Sequence, residues 1–226
     1  MKNFKKKFIE IKEELKELNP NNENIVDSII APIFFVIVSN FLNLNQSIYI
    51  TALLLLVLLI FRALKKQKIK YVFYGFLGSL LALYLARIQG STSGFFIPGI
   101  IRDGAIAIIG FVSVIIGKPF TIYSSKAFRN WPKNWYYHPQ VKPAYTRVAL
   151  IWSFYLLFKA LLQVYFFNSP EVLVIIKLAT SNQTTIILLI ISYMIGQNNL
   201  QSLNGPSVEE FLEEKPKPWI SQQKGF

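Results

Sequence analysis

The residues best placed to do chemistry lie where charges are costly. Arg102 and Asp103 stand side by side in the apolar run GFFIPGIIRDGAIAIIG, Gly94 to Gly110. Lys159 and Lys177 interrupt two later apolar runs, and Gln163 follows Lys159 by one helical turn. If each run is a membrane-spanning helix, Arg102 and Asp103 lie roughly 10–12 Å below the outer end of theirs at 1.5 Å per residue. Lys159 and Lys177 then fall at similar depths, so three cations and one carboxylate share a layer. A charge at mid-bilayer costs about 2.5–3.5 kcal/mol or more, so these groups should turn inward and find partners. Neighbours on a helix point about 100° apart, which places Arg102 and Asp103 poorly for each other and favours Asp103 reaching Lys159 or Lys177. Three kinds of chemistry fit. The charges can be interhelical pairs and snorkelling lysines that fix packing. They can form an outward-opening cationic pocket for an anionic lipid headgroup or metabolite, with Arg102, Asp103, Lys159, Gln163 and Lys177 as its ligand-binding residues. They can also relay a proton through Asp103.

Other chemistry is poorly supplied. The 226 residues contain no cysteine and one histidine, His138, which excludes disulfides and a histidine-rich metal site. There is no phosphate-binding loop and no pair of carboxylates within an apolar run. The expectation is therefore a non-enzymatic protein with no catalytic residues, no metal and no cofactor.

The elements that must position these charges read as membrane helices. The chain is 53% hydrophobic and only 16% charged, against roughly 25% charged in soluble domains. Six apolar segments are long enough to span, at about 25–44, 48–64, 71–88, 95–116, 148–167 and 172–195. Pro32 and Pro98 interrupt the hydrogen-bond ladders of the first and fourth. The second loop carries Arg62, Lys65, Lys66, Lys68 and Lys70, the fourth carries Lys118, Lys126, Arg129, Lys133, Lys142 and Arg147, and neither has an acid. The loops between them are nearly uncharged. By the positive-inside rule this predicts an all-α integral membrane bundle of six transmembrane helices, with both termini cytoplasmic. The net charge of +12 is then a matter of topology, not of nucleic-acid binding. Anionic lipid headgroups are the expected partners, together with proteins that meet the cytoplasmic loops and tails.

Two flanking regions complete the plan. Residues 1–24 place Phe4, Phe8, Ile11, Leu15 and Leu18 on one helical stripe and form a cytoplasmic amphipathic helix. Residues 196–226 form an acidic cytoplasmic tail, with a capping box at Ser207 and Glu210 and prolines at 216 and 218, read as exposed and open to a partner. The fourth loop interleaves Trp131, Trp135, Tyr136, Tyr137 and Tyr145 with its cations, which reads as an aromatic belt at the membrane interface.

Several short stretches carry a resemblance. APIFFVIV at Ala31, FRALKKQ at Phe61, GFLGS at Gly75, GFFIPGII at Gly94, VSVIIGKPF at Val112 and AYTRVALIW at Ala144 occur in an order that resembles an uncharacterised family of bacterial multi-pass membrane proteins, domain of unknown function 3159. The chain departs from that family's tendency to an amide near Asp103 and an arginine near Lys159. A fainter similarity, through Ser113, Lys118, Pro119 and Trp152, links it to intracellular septation protein A. These resemblances imply a membrane fold and a role in envelope maintenance or membrane-complex assembly. A small transporter or lipid-binding protein built on the charged layer is the alternative.

Overall fold

A computed structural model describes residues 25–64, 69–180 and 182–226. The amphipathic helix expected over residues 1–24 lies outside them. Among the described residues the regular structure is entirely helical. In chain order the helices are α1 (Ile25–Ser39), α2 (Leu44–Leu64), α3 (Ile69–Gln89), a 3-10 turn (Thr92–Phe96), α4 (Ile97–Ile115), α5 (Phe120–Arg129), α6 (Lys133–Tyr136), α7 (Lys142–Tyr165), α8 (Pro170–Ala179), α9 (Asn182–Ser202) and α10 (Val208–Leu212).

Length corrects the expected count of six spans. Among the described residues, Leu44–Leu64, Thr92–Ile115 and Lys142–Tyr165 are long and apolar enough to cross a membrane. A fourth is reached only if α8 and the helix after it form one broken span. The first and third expected spans give the shorter apolar helices Ile30–Ser39 and Phe73–Gln89. A helix must run about 20 residues to cover a hydrocarbon core of roughly 30 Å. Pro98 also departs from expectation: it is the second residue of α4, where no intrahelical partner is lost, whereas Pro32 does lie inside α1.

The chain divides into two compact units. The first comprises the chain through Gly99 with Gln163–Asn182. Small residues let its backbones close up. A Cβ on Gly94 would lie 2.7 Å from the Cα of Ala86, so only glycine lets the 3-10 turn sit on α3. That approach seats Phe95 against Phe35, with ring centroids 5.3 Å apart and both side chains buried.

The second unit comprises Ile100–Leu162 and Gln183–Phe226. Its spine is the antiparallel pair α4 and α7. Along this seam Asp103 meets Lys159, the face of Gly104 meets Ala160, Gly110 meets Ser153 and Phe111 meets Phe154. The seam is tight: a Cβ on Gly110 would fall 2.1 Å from Ser153 Oγ. Ser113 explains the spacing of the serine and the Lys-Pro pair. Its Oγ donates to the Gly110 carbonyl at 2.6 Å and accepts the Phe120 N–H at 3.1 Å, so the serine of α4 satisfies an orphan donor at the start of α5.

The aromatic loop is not a belt. Trp135, Tyr136 and Tyr145 are fully buried and build a core with Ile122, Val141, Ala144 and Leu200. Edge-to-face contacts of about 5–6 Å join the three rings. Composition alone could not separate these cases, because aromatics beside cations serve an interface or a core equally well.

The tail is only partly exposed: residues 212–218 are open, while the segments on either side of them pack onto the unit. The expected capping box forms, with Glu210 N–H donating to Ser207 Oγ at 3.1 Å and Ser207 N–H donating to Glu210 Oε2 at 2.8 Å. Glu210 Oε1 then takes the Ile220 N–H at 2.8 Å, which folds the segment after α10 back onto the helix. Trp135 Nε1 donates to the Pro206 carbonyl at 2.8 Å and Gln197 Nε2 donates to the Gln223 carbonyl at 2.6 Å. The ring of Phe226 stacks on Tyr145 at 4.4 Å, in space that a side chain on Gly196 would fill. Across the tail, His138 packs edge-on to Trp219 at 5.3 Å.

Two titrating groups hold this strap. The Ile220 and Ser207 backbone N–H groups keep Glu210 below the usual carboxylate range. Burial, and then the charge of Lys217, lowers His138. Both groups take up protons more readily once the strap is released, so docking weakens as pH falls. The His138 contribution is lost on going below about 6.5, and that of Glu210 only below the free glutamate value of about 4.3. Limited proteolysis across pH should show tail cleavage rising on acidification in that order. Glu210→Gln should expose the tail already at neutral pH, and protection independent of pH would contradict this account.

Candidate functional site

The site grows from the start of α4. Its first turn opens after the 3-10 turn, and one further turn carries Asp103 onto the face that meets α7. Asp103 is buried, with 3% of its side chain exposed. Its Oδ2 receives Lys159 Nζ at 2.9 Å. This is one of the two cross-helix pairs expected, and it lies on the seam that closes tightly at Gly110 and Ser153.

Arg102 corrects the expectation drawn from helix geometry. Its Nε and Nη2 both donate to Asp103 Oδ1, at 3.0 and 2.8 Å. The 100° separation applies to Cβ directions, and the long guanidinium arm turns back across it. One oxygen thus serves the arginine and the other the lysine. Both lone-pair regions of the acid are used in charge-assisted hydrogen bonds. The cluster keeps a net charge of +1, from two cations and one anion.

Its two cations differ in setting. The Lys159 side chain is 13% exposed and that of Arg102 is 64% exposed. Ile101 beside Arg102, and Ile108 and Ile109 further along α4, are exposed too, so the guanidinium stands on an otherwise apolar outer surface.

The remaining expected ligands belong to the first unit. Gln163 is buried there. Lys177 stands over the rings of Phe95 and Phe96, with Nζ at 5.6 and 5.8 Å from their centroids, a cation–π arrangement. Of the five residues expected to line one pocket, Arg102, Asp103 and Lys159 are in direct contact. Sequence reasoning missed Tyr155, four residues before Lys159 on the same face of α7. Its hydroxyl is buried and unpartnered among the described residues. The signal was the i, i+4 spacing, hidden because tyrosine is common in apolar helices. No group of three or more His, Cys, Asp or Glu placed to hold a metal occurs among the described residues.

Burial ranks the two cations. Lys159→Gln leaves Asp103 buried without its inward partner and should cost about 3 kcal/mol of stability. Arg102→Gln removes an exposed partner and should cost under about 1 kcal/mol. Reversible denaturation in mixed micelles checks this order, and equal losses would contradict it.

No curated protein and no solved structure matches the chain. A family model described as "Protein of unknown function" matches residues 22–202, which takes in the Arg102–Asp103–Lys159 cluster, Gln163 and Lys177. The chain therefore belongs to the DUF3159 family.

Proposed function

We propose that this chain is a non-enzymatic multi-pass protein of the bacterial inner membrane, which works through contacts in envelope maintenance or membrane-complex assembly. In this reading the chain crosses the membrane an even number of times, four with α8 and α9 as one broken span, and both termini are cytoplasmic. The strict alternation of basic and non-basic loops supports that topology. The faint similarity to intracellular septation protein A supports the envelope role.

The observation that carries the proposal is the setting of Arg102. The acid beside it is consumed by two cations, while the guanidinium faces outward from an apolar surface. A cation presented at membrane depth is stabilised by an anionic group outside the chain. On this reading that group belongs to a membrane partner, and the buried Asp103 holds the arginine in position for it.

The same exposure favours a second reading, in which the anion is a lipid phosphate or a transported metabolite. Arg102 lies near the start of α4, and helix side chains tilt toward the N-terminus, which brings the guanidinium toward the nearer headgroup layer.

Complementation tests the proposal. Cells lacking the gene should show an envelope sensitive to detergent and osmotic shock, and wild type should restore it. Arg102→Gln should accumulate to wild-type levels yet restore it poorly. A normal envelope with normal membrane complexes in the deletion strain would count against the contact role. Native mass spectrometry separates the two readings: an anionic lipid or metabolite bound by wild type and lost from Arg102→Gln favours the second.

A further inference from the structure

The connection between α4 and α7 contains a helix, α5, with one buried and one exposed face. Thr121, Ile122 and Ser125 of α5 are buried. Thr121 Oγ1 donates to the Tyr145 carbonyl at 2.8 Å, and Ser125 shares a hydrogen bond with the Tyr136 hydroxyl at 3.2 Å. The other face is exposed. At 100° per residue, Tyr123, Ala127, Ser124 and Phe128 follow one another around an arc of about 140°. All four are exposed, with Phe128 at 70%. Lys126 flanks this strip on the Tyr123 side, and Lys133 lies just beyond the helix; both are exposed.

Three observations say what covers the strip. First, α5 joins two helices that are each long and apolar enough to cross a membrane, and it begins five residues after α4 ends. Second, the Ser113 Oγ bond to the Phe120 N–H ties the start of α5 to the end of α4, so the helix is held beside the point where the span leaves the bilayer. Third, residues 117–147 carry Lys118, Lys126, Arg129, Lys133, Lys142 and Arg147 with no acid, so the surface is complementary to an anionic layer. An aromatic and small-residue strip flanked by lysines at the level of the headgroups is the pattern of an interfacial helix.

We propose that α5 lies on the membrane and that its Tyr123–Phe128 face docks on anionic phospholipid, with Phe128 in the acyl boundary and Lys126 and Lys133 at the phosphates. This rests on the membrane reading above. It transfers the interfacial role from the aromatics expected to hold it, which are buried, to two that the sequence did not single out.

The absence of cysteine allows unique labelling of the full chain. Single variants Phe128→Cys, Ala127→Cys, Ile108→Cys and Glu213→Cys would carry a nitroxide in bilayers of phosphatidylcholine alone or with phosphatidylglycerol. Collision with oxygen and with a water-soluble nickel chelate reports depth. Ile108 is the membrane control and Glu213 the aqueous one. The 127 and 128 labels should be shielded from nickel at least twofold more in the anionic bilayer than in the neutral one. Lys126→Gln with Lys133→Gln should abolish that difference. Shielding equal in both bilayers overturns the anionic preference. Labels at 127 and 128 as open to nickel as the 213 label, while the 108 label stays oxygen-rich, overturn the docking but leave the membrane reading intact. Nickel access at 108 overturns the membrane reading itself.

Discussion

A carboxylate taken out of water must find cations, and Asp103 finds two. Its Oδ1 holds Arg102 and its Oδ2 holds Lys159. Lone charges in a bilayer are expensive, and a pair that lost one member would leave the other stranded. The pair also fixes geometry. For Lys159 to reach Asp103, α4 and α7 must run close and antiparallel, and Gly104, Ala160, Gly110 and Ser153 provide the narrow seam that permits it. A larger residue at Gly110 would push the helices apart where the ion pair needs them together.

Below that seam the second unit is held by polar links, each satisfying a specific atom. Ser113 closes the turn into α5, Thr121 ties α5 to the start of α7, and Arg147 Nη1 reaches Asn199 Oδ1 on α9 at 2.6 Å. The buried Trp135, Tyr136 and Tyr145 form the hub on which the tail folds. The tail is thereby part of this unit's core, and its acidic residues serve local structure before they serve any partner. Glu210, for example, uses both carboxylate oxygens within the tail.

Much of this was legible in the residues. The depth of the charges pointed to Asp103 pairing with Lys159 or Lys177, of which Lys159 is the partner seen, and the spacing of Ser207 and Glu210 gave the capping box. The character of the chain as apolar helices followed from composition. What stayed hidden has physical reasons. Helical periodicity tracks Cβ directions and is blind to a long side chain curling back, which is why the Arg102–Asp103 contact was missed. Amino-acid type cannot tell an interfacial aromatic from a buried one, so Trp135, expected at the interface, lies in the core. A proline in an apolar run looks like a break until the helix start is known, as Pro98 shows. The span count rested on runs of apolar residues, and the first of those runs, 25–44, forms a helix that ends at Ser39.

The central claim is that Asp103 and Lys159 act as one unit that holds α4 to α7. A double-mutant cycle in lipid bilayers, with Asp103→Asn, Lys159→Met and both together, tests it most directly. The account predicts that the double variant is more stable than the sum of the single losses allows, by about 1 kcal/mol or more, because the second change removes a charge that the first left stranded. Losses that simply add would contradict it, and the two charges would then be neighbours without being partners.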